Sequence, residues 1–318
     1  MRKFKVNFMD LSKIRGFNVH GDWGGHGITE WLNFDSERYK MMISKAKERF
    51  PGMNTARIWL SFDAYLADRT KYLENIKKAV TILTEAGLKI IPVYYNGWFG
   101  MPCYGSFTAE NILSHQLPIY VRCTKETTLA IKDADILMYD ISNEPLNNVY
   151  GNIDAFNRVV NFLELMINTV REIDSKPITI GTQGYPAPHT PELCDIDRLM
   201  PLVDIFSLHP YNNFDLSRED FEKQFKEVID YVEAFNKPYL ITECVWGAPT
   251  AEGRKKYLEI ELETYSKYKV GFLCHALFTC PVADLFPVEE IDCSEGLYMA
   301  FLDREFNIRP YHDIFNKL

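Results

Sequence analysis

Ile136-Leu-Met-Tyr-Asp-Ile-Ser-Asn-Glu-Pro145 begins as a short apolar run, the pattern of a strand buried on both faces. It ends on Pro145, which has no N–H to offer a ladder and so turns the chain out of the sheet. A carboxylate, Glu144, is thereby left at the C-terminal lip of a buried strand, with the Asn143 amide immediately before it. The pattern returns at Pro238-Tyr-Leu-Ile-Thr-Glu243, a second apolar strand that delivers a glutamate at its end. Two such carboxylates on one parallel sheet can converge on a point.

Moving outward from this stretch, strands and helices alternate. Ile14–His20 reads as the first strand, followed by the glycine-rich loop Gly21-Asp-Trp-Gly-Gly-His-Gly27. A helix from about Asp35 carries Tyr39, Met42, Ile43, Ala46 and Phe50 on one face. Met53–Leu60 is the second strand, and the helix after it, with Tyr72, Ile76, Ala79, Val80 and Leu83, stops at Gly87. Leu88–Tyr95 is the third strand, with a helix inside Pro118–Ala134. Beyond the fourth strand, Ile153–Ile173 is a long amphipathic helix and Pro177–Thr182 the fifth strand. Thr190-Pro191 has the form of a helix start, with proline at the first helical position. Val203–His209 is the sixth strand, and Ser217 caps a helix to about Phe235. Pro238–Glu243, a helix over Ala251–Tyr268, the strand Val270–Phe278 and a closing helix near Tyr311–Leu318 complete the chain. Eight alternations without linker, repeat or low-complexity stretch predict an α/β chain forming a single (β/α)₈ TIM barrel over residues 1–318.

Composition bounds the function. The 318 residues are 47% hydrophobic and 25% charged, a globular balance long enough for one large core. A net charge of −9 with no long Lys/Arg cluster argues against nucleic-acid and anionic-membrane partners. The aromatic fraction of 14% suits a core that also offers stacking platforms to sugars. Met1-Arg-Lys-Phe-Lys-Val lacks a signal-peptide core, and no run of about 18 apolar residues occurs. The seven cysteines are odd in number and lack CxxC spacing, and Cys244, Cys274 and Cys280 fall in or near strands, as free buried thiols do. The expectation is a cytoplasmic protein; nothing in the sequence sets its oligomeric state.

In such a barrel, chemistry sits on the C-terminal rims of the strands. The rims here carry His20, Asp22, Arg57, Asn96, Trp98, Asn143, Glu144, Gln183, His209, Tyr211, Glu243 and Trp246, with His275 and Asp284 later. Lys89, Lys176, Lys237 and Lys269 fall instead at strand starts, which argues against a Schiff-base aldolase. The loops after strands seven and eight lack the glycine-rich nest of a phosphate site. Glycoside hydrolysis needs two carboxyl groups, one to protonate the leaving oxygen and one to attack or to activate water, and Glu144 and Glu243 suit by type and placement. Asn143 is placed to hydrogen-bond a sugar 2-hydroxyl. Arg57 is able to keep one carboxylate ionised, and Tyr211 to orient it. Singly, each has a plainer reading: a solvated loop glutamate, a rim salt bridge for Arg57, a satisfied core histidine for His209, packing for Trp23, Trp98 and Trp246. The joint arrangement is what carries weight.

Asn143-Glu144-Pro145, His209-Pro-Tyr211 and Thr242-Glu243 together resemble the clan A glycoside hydrolases, family 5 above all, the cellulase, mannanase and β-mannosidase-like enzymes. Arg57 matches the arginine these enzymes carry on strand two, and Gly296-Leu297-Tyr298 through Asn307-Ile-Arg-Pro310 is similar to their closing segment. The resemblance covers essentially the whole chain. It implies a retaining mechanism with Glu144 as acid/base and Glu243 as nucleophile, and no cofactor or metal. His20, Trp23, Trp98, Trp246, Arg57, Asn143, His209 and Tyr211 are the expected substrate-binding residues. Two departures stand out. The family's strand-three histidine is missing from Pro92-Val-Tyr-Tyr-Asn-Gly-Trp98, and its strand-eight tryptophan from His275-Ala-Leu-Phe278, leaving Trp246 or Phe278 as a replacement platform.

The expected activity is hydrolysis of β-linked oligosaccharides, with β-mannosides or β-glucosides favoured. An endo-acting cellulase or mannanase uses the same chemistry. A metal-dependent sugar isomerase would recruit His20, Asp22, Glu144, His209 and Glu243 as ligands, but Arg57 and Asn143 sit poorly beside a cation. A sugar-binding barrel without catalysis is the remaining alternative, against which the intact glutamate pair speaks.

Overall fold

The eight strands close on themselves in numerical order, each parallel to its neighbours. The computed structural model describes residues 10–23, 27–97, 112, 115–146, 149, 152–182, 195–212, 214–248, 250–279 and 299–318. The strands are β1 Arg15–Val19, β2 Thr55–Trp59, β3 Lys89–Asn96, β4 Tyr139–Asn143, β5 Ile178–Thr182, β6 Phe206–Leu208, β7 Tyr239–Ile241 and β8 Phe272–Cys274. Closure comes from β1 on β8, with Arg15 opposite Phe272 and Phe17 opposite Cys274. The last three strands are shorter than the sequence predicts, because their rim ends turn away from the sheet. Single cross-strand bonds persist there: His209 N–H to Thr182 O at 2.9 Å, Thr242 N–H to Leu208 O at 3.0 Å and His275 N–H to Cys244 O at 3.0 Å.

Helices surround the barrel, and most start on a side-chain cap. Asp35 caps α2 (Ser36–Arg49), Asp68 caps α4 (Arg69–Glu85), and Ser217 caps α8 (Arg218–Glu233). Asn152 caps α6 (Ile153–Arg171) and Thr250 caps α9 (Ala251–Lys267). The predicted faces are the buried ones: Tyr39, Met42, Ile43 and Ala46 on α2, and Tyr72, Ile76, Ala79, Val80 and Leu83 on α4. The fifth, α5, spans Leu117–Ile131 with proline in its first turn. Three short helices, α1 (Gly27–Leu32), α3 (Phe62–Ala67) and α7 (Asp195–Leu199), carry no sequence signal, since six residues or fewer show no periodicity. The closing helix is a 3₁₀ turn, His312–Lys317, rather than an α-helix. Its three-residue period brings His312 and Phe315 to one face, and both are buried. The helix start expected at Thr190-Pro191 lies outside the described residues.

Alternation along the strands sorts two cores. Outward-facing Phe17, Ala56, Ile58, Tyr139, Ile141, Ile178, Ile180, Phe206 and Leu208 meet the helices in one continuous apolar layer. Inside, Ile14, Ile91, Met138, Ile205, Leu240 and Leu273 form a separate plug at the end where the strands begin. The next inward positions change character: Asn18, Arg57, Asp140, Thr179, Ser207 and Thr242 are polar and fully buried. The barrel is thus apolar at its floor and ionised towards its mouth. Among the described residues, no helix is long and apolar enough to cross a membrane.

Candidate active site

The site is built around one fully buried guanidinium, delivered inward by β2. Arg57 donates from Nε to Asp140 Oδ2 at 2.9 Å, from Nη1 to Asn18 Oδ1 at 2.7 Å, and from Nη2 to Asn143 Oδ1 at 3.0 Å. Nη1 also donates to Glu243 Oε1. The planar fork matches this spread of acceptors in a way a lysine does not. Its face lies over the Trp59 ring, 4.9 Å from the centroid. The charges of Asp140 and Glu243 outweigh burial and raise the Arg57 pKa further.

Asn143 reaches this group through an irregularity in β4. Pairing with β5 slips between Asp140 and Asn143, so two residues that strict alternation would send to opposite faces both touch Arg57. A bulge beside a site re-aims a side chain in this way. Since Arg57 is only a donor, it fixes the Asn143 amide with Oδ1 inward, and Nδ2 donates to Asn96 Oδ1 at 3.2 Å. The next residue, Glu144, has φ 41, a left-handed conformation that a β-carbon disfavours. Two glycines give the room this turn and its partners need. A β-carbon on Gly97 would stand 2.4 Å from Pro145 Cα, and one on Gly181 would stand 2.8 Å from His209 Nε2.

Glu144 and Glu243 face each other across His209. The His209 ring bonds Glu144 Oε1 through Nδ1 at 2.9 Å and Thr242 Oγ1 through Nε2 at 2.9 Å. Its Nδ1 is 3.8 Å from Glu243 Oε2. One oxygen of each glutamate and one His209 nitrogen all lie within 4.8 Å of one another. Tyr211 donates to Glu243 Oε2 at 2.8 Å, and its ring meets Trp246 edge-on at 5.3 Å. Burial by itself would raise the Glu243 pKa, but His209 and Arg57 beside it, with the Tyr211 hydroxyl, lower it to about 2. Burial and the Glu243 charge push the Tyr211 hydroxyl well up, so it remains a donor.

The other predicted residues fall in different places. His20 is fully buried, with its ring near those of Trp59 (5.6 Å) and His275 (5.7 Å), and burial keeps it neutral. Trp23 packs against Phe34 and Tyr39 and donates to Glu30 O at 3.3 Å, the plainer of its two readings. Asp22 holds Arg38 in a two-point pair at 2.7 and 2.6 Å. Phe278 is 1% exposed and packed on Phe306, so it is a core residue and offers no platform. Trp98, Gln183 and Asp284 lie outside the described residues. Sequence reasoning missed Asn18, which ties Arg57 to Trp59 Nε1 (3.2 Å) and to Thr242 O (2.8 Å). It missed Asp140 as well, whose other oxygen accepts from Gly181 N at 3.1 Å. It also missed a clamp on α9. Glu261 accepts from the N–H groups of Asn212, Val245 and Trp246, and Arg254 donates to the carbonyls of Val245, Trp246, His275 and Met299. Charges at spacing i, i+7 around buried Leu258 were the available signal.

Comparison with known proteins gives the family. No curated protein sequence matches the chain. Among solved structures, the exo-β-1,4-mannosidase Op5Man5 from Opitutaceae bacterium strain TAV5 is similar at 16% identity and TM-score 0.71, over 95% of this chain and 58% of that one. This chain therefore spans little more than half the length of that relative. GH5_18 from Streptomyces cattleya, in complex with GlcNAc, is similar at 12% identity and TM-score 0.74, over 96% and 79%. The endo-1,4-β-D-mannanase from Thermotoga petrophila RKU-1 follows at 14% and 0.67, over 96% and 98%. These likenesses establish the fold. Residues 4–277 match the family model described as Cellulase (glycosyl hydrolase family 5), and the chain belongs to that family.

Proposed function

We propose that the protein is a retaining β-glycoside hydrolase acting on β-linked oligosaccharides, with Glu243 as nucleophile and Glu144 as acid/base. The observation that carries this reading is the spacing of the two carboxyl groups, one oxygen of each within 4.8 Å of the other. Retaining enzymes hold the pair about 5–5.5 Å apart, whereas inverting ones need roughly 6.5–9.5 Å to seat a water. The environments also differ in the required sense. Arg57 and Tyr211 keep Glu243 charged, as an attacking group must be. Glu144 is held instead by a hydrogen bond with His209 Nδ1 at 2.9 Å.

In the first step a Glu243 oxygen attacks the anomeric carbon while Glu144 protonates the departing glycosidic oxygen, leaving a glycosyl ester on Glu243. In the second, Glu144 takes a proton from water, and the hydroxide displaces Glu243 from the same face on which the leaving group departed. The remaining Nδ2 hydrogen of Asn143 is available to the sugar 2-hydroxyl, a contact that strengthens in the transition state. Glu144, His209 and Glu243 also have the spacing of a metal triad. A guanidinium bonded directly to Glu243 opposes a second cation there, which favours the glycosidase.

β-Mannosides and β-glucosides are the favoured substrates. A panel of nitrophenyl β-glycosides, followed by proton NMR of the first product, tests the reading. The expected product is a β-anomer that mutarotates slowly, and turnover should survive EDTA. An initial α-anomer, or activity lost to EDTA and restored by a metal, would overturn it.

A further inference from the structure

Two loops carry the groups that govern the nucleophile, and one buried carboxylate behind them holds both. Tyr211 lies on the loop after β6 and Glu243 on the segment leaving β7, and their hydrogen bond at 2.8 Å spans the gap between the two. Glu261, on α9 and fully buried, accepts from Asn212 N–H at 3.0 Å on the first loop. On the second it accepts from the N–H groups of Val245 and Trp246, at 2.6 and 3.1 Å. The Tyr265 hydroxyl, one turn further along α9, stands 3.1 Å from the same carboxylate and 3.0 Å from Pro210 O, just before Tyr211. A carboxylate accepts at about four sites, and these four donors match that capacity. Arg254 closes the other side of the turn, donating to the carbonyls of Val245 and Trp246. Val245 thus gives its N–H to one charged group and its carbonyl to another. It has φ 70, a left-handed conformation that a β-branched residue rarely takes. Backbone of this kind persists only where its surroundings over-determine it. The strain sits two residues beyond Glu243, and α9 holds it there.

We infer that Glu261 is a positioning residue for the nucleophile: by fixing the loop after β6 against the turn after β7, it sets the Tyr211–Glu243 hydrogen bond. This rests on the glycosidase reading and deepens it. A buried charge is a weak way to gain stability, since apolar side chains of the same volume often do as well. What the carboxylate adds is direction, three N–H groups from two loops aimed at one point. A displaced Tyr211 hydroxyl gives up its hold on ionised Glu243, whose carboxyl pKa then rises. Removing the Glu261 charge by itself acts the other way, because losing a negative neighbour lowers a carboxyl pKa. The direction of the shift therefore separates position from charge.

The experiment is a double-mutant cycle read on whichever nitrophenyl β-glycoside the wild type hydrolyses. Glu261→Gln keeps the volume and replaces one acceptor oxygen with an NH₂ group, which repels whichever N–H it meets. kcat/KM should fall about tenfold, and its acid limb should move upward, no further than in Tyr211→Phe. In the Tyr211→Phe background the bond to be positioned is gone, so adding Glu261→Gln should cost less than about twofold, whereas independent losses would multiply to about a hundredfold. Tyr265→Phe is the second variant, should Glu261→Gln fail to fold. It should lower kcat/KM about threefold with the same upward limb, again only while the Tyr211 hydroxyl is present. A folded Glu261→Gln enzyme with wild-type kcat/KM, an acid limb that stays or moves down, or losses that multiply would each overturn the inference alone. The same results from Tyr265→Phe would do so where Glu261→Gln does not fold. A wild type that hydrolyses no β-glycoside would overturn the glycosidase reading and this inference with it.

Discussion

The two ends of this barrel are made by the same eight strands and differ in nearly every physical respect. At the floor, Ile14, Ile91, Met138, Ile205, Leu240 and Leu273 fill the interior with apolar volume. Two nearby lysines reach backbone carbonyls, Lys176 donating to Lys132 O at 2.6 Å and Lys237 to Val203 O at 2.7 Å. At the mouth, Arg57 answers the charges of Asp140 and Glu243, with the arginine and the aspartate fully buried and the glutamate side chain 7% exposed. Into β1 the change takes four residues, from Ile14 to Asn18, and off the end of β7 two, from Leu240 to Thr242. The floor stabilises through area and volume, which tolerate substitution by degrees. The mouth holds desolvated charges, stable only while every partner is present. Stability and chemistry therefore divide along each strand, and mutations at the two ends should fail differently.

The largest separation should come from the glutamates. Glu243→Ala removes the attacking oxygen and should lower kcat on every substrate by a factor on the order of 10⁴–10⁶. Glu144→Ala should cost about 10²–10⁴ on substrates with poor leaving groups and far less on activated aryl glycosides, which need little protonation. Azide should rescue the second variant and yield a β-glycosyl azide. Equal losses for both variants on activated substrates would break the assignment of roles.

Arg57→Met tests whether the mouth is an all-or-none network. The variant leaves Asp140 buried without its cation, a change that costs about 3–5 kcal/mol, readable as a lowered urea midpoint. It should also move the acid limb of kcat/KM. Glu243 sits well below its ordinary value of 4.5. Its ionisation therefore contributes stability that is present above about 4.5 and lost as pH falls towards about 2. Without the guanidinium the carboxyl pKa rises, so both the acid limb and the onset of acid unfolding should move upward. An acid limb that stays in place would remove Arg57 as the partner of Glu243.

Leu240→Ala is the control from the floor. Truncating a fully buried leucine should cost about 2–5 kcal/mol, with kcat/KM within about twofold of wild type wherever the protein is folded. A large loss of activity without loss of stability would mean the two ends are mechanically coupled, and the division between floor and mouth would fail.

The same division explains what is legible in the sequence. The barrel is legible because outward positions repeat with period two and the helices with period 3.6, as Tyr39, Met42, Ile43 and Ala46 illustrate. Glu144 and Glu243 are legible because each ends an apolar strand next to a breaker or a bend. Asn18 and Asp140 are not, because a polar residue inside a strand reads as an exposed face until closure turns that face inward. The slip that brings Asn143 to Arg57 leaves no mark in composition, since a bulge is a property of pairing. The α9 clamp escapes for a similar reason: Arg254 and Glu261 read as a solvated face until the loops after β6 and β7 fold onto them.

Tyr211→Phe makes the smallest change at the mouth. It removes one hydroxyl and leaves the ring free to keep its edge contact with Trp246 at 5.3 Å. The bond it deletes, Tyr211 Oη to Glu243 Oε2 at 2.8 Å, runs from a neutral donor to a charged acceptor. Such bonds are worth about 1.5–3 kcal/mol. Because it favours the ionised carboxyl, its loss should raise the Glu243 pKa in the same direction as Arg57→Met but by less, since the guanidinium remains. Floor packing is untouched, so the urea midpoint should move far less than with Leu240→Ala. The expected result is a roughly tenfold lower kcat/KM at neutral pH and an acid limb between those of the wild type and Arg57→Met. The ordering of the three limbs is the measurement to make. If Tyr211→Phe shifts the limb further than Arg57→Met, the hydroxyl rather than the cation governs the nucleophile, and Arg57 is not the electrostatic centre of the mouth.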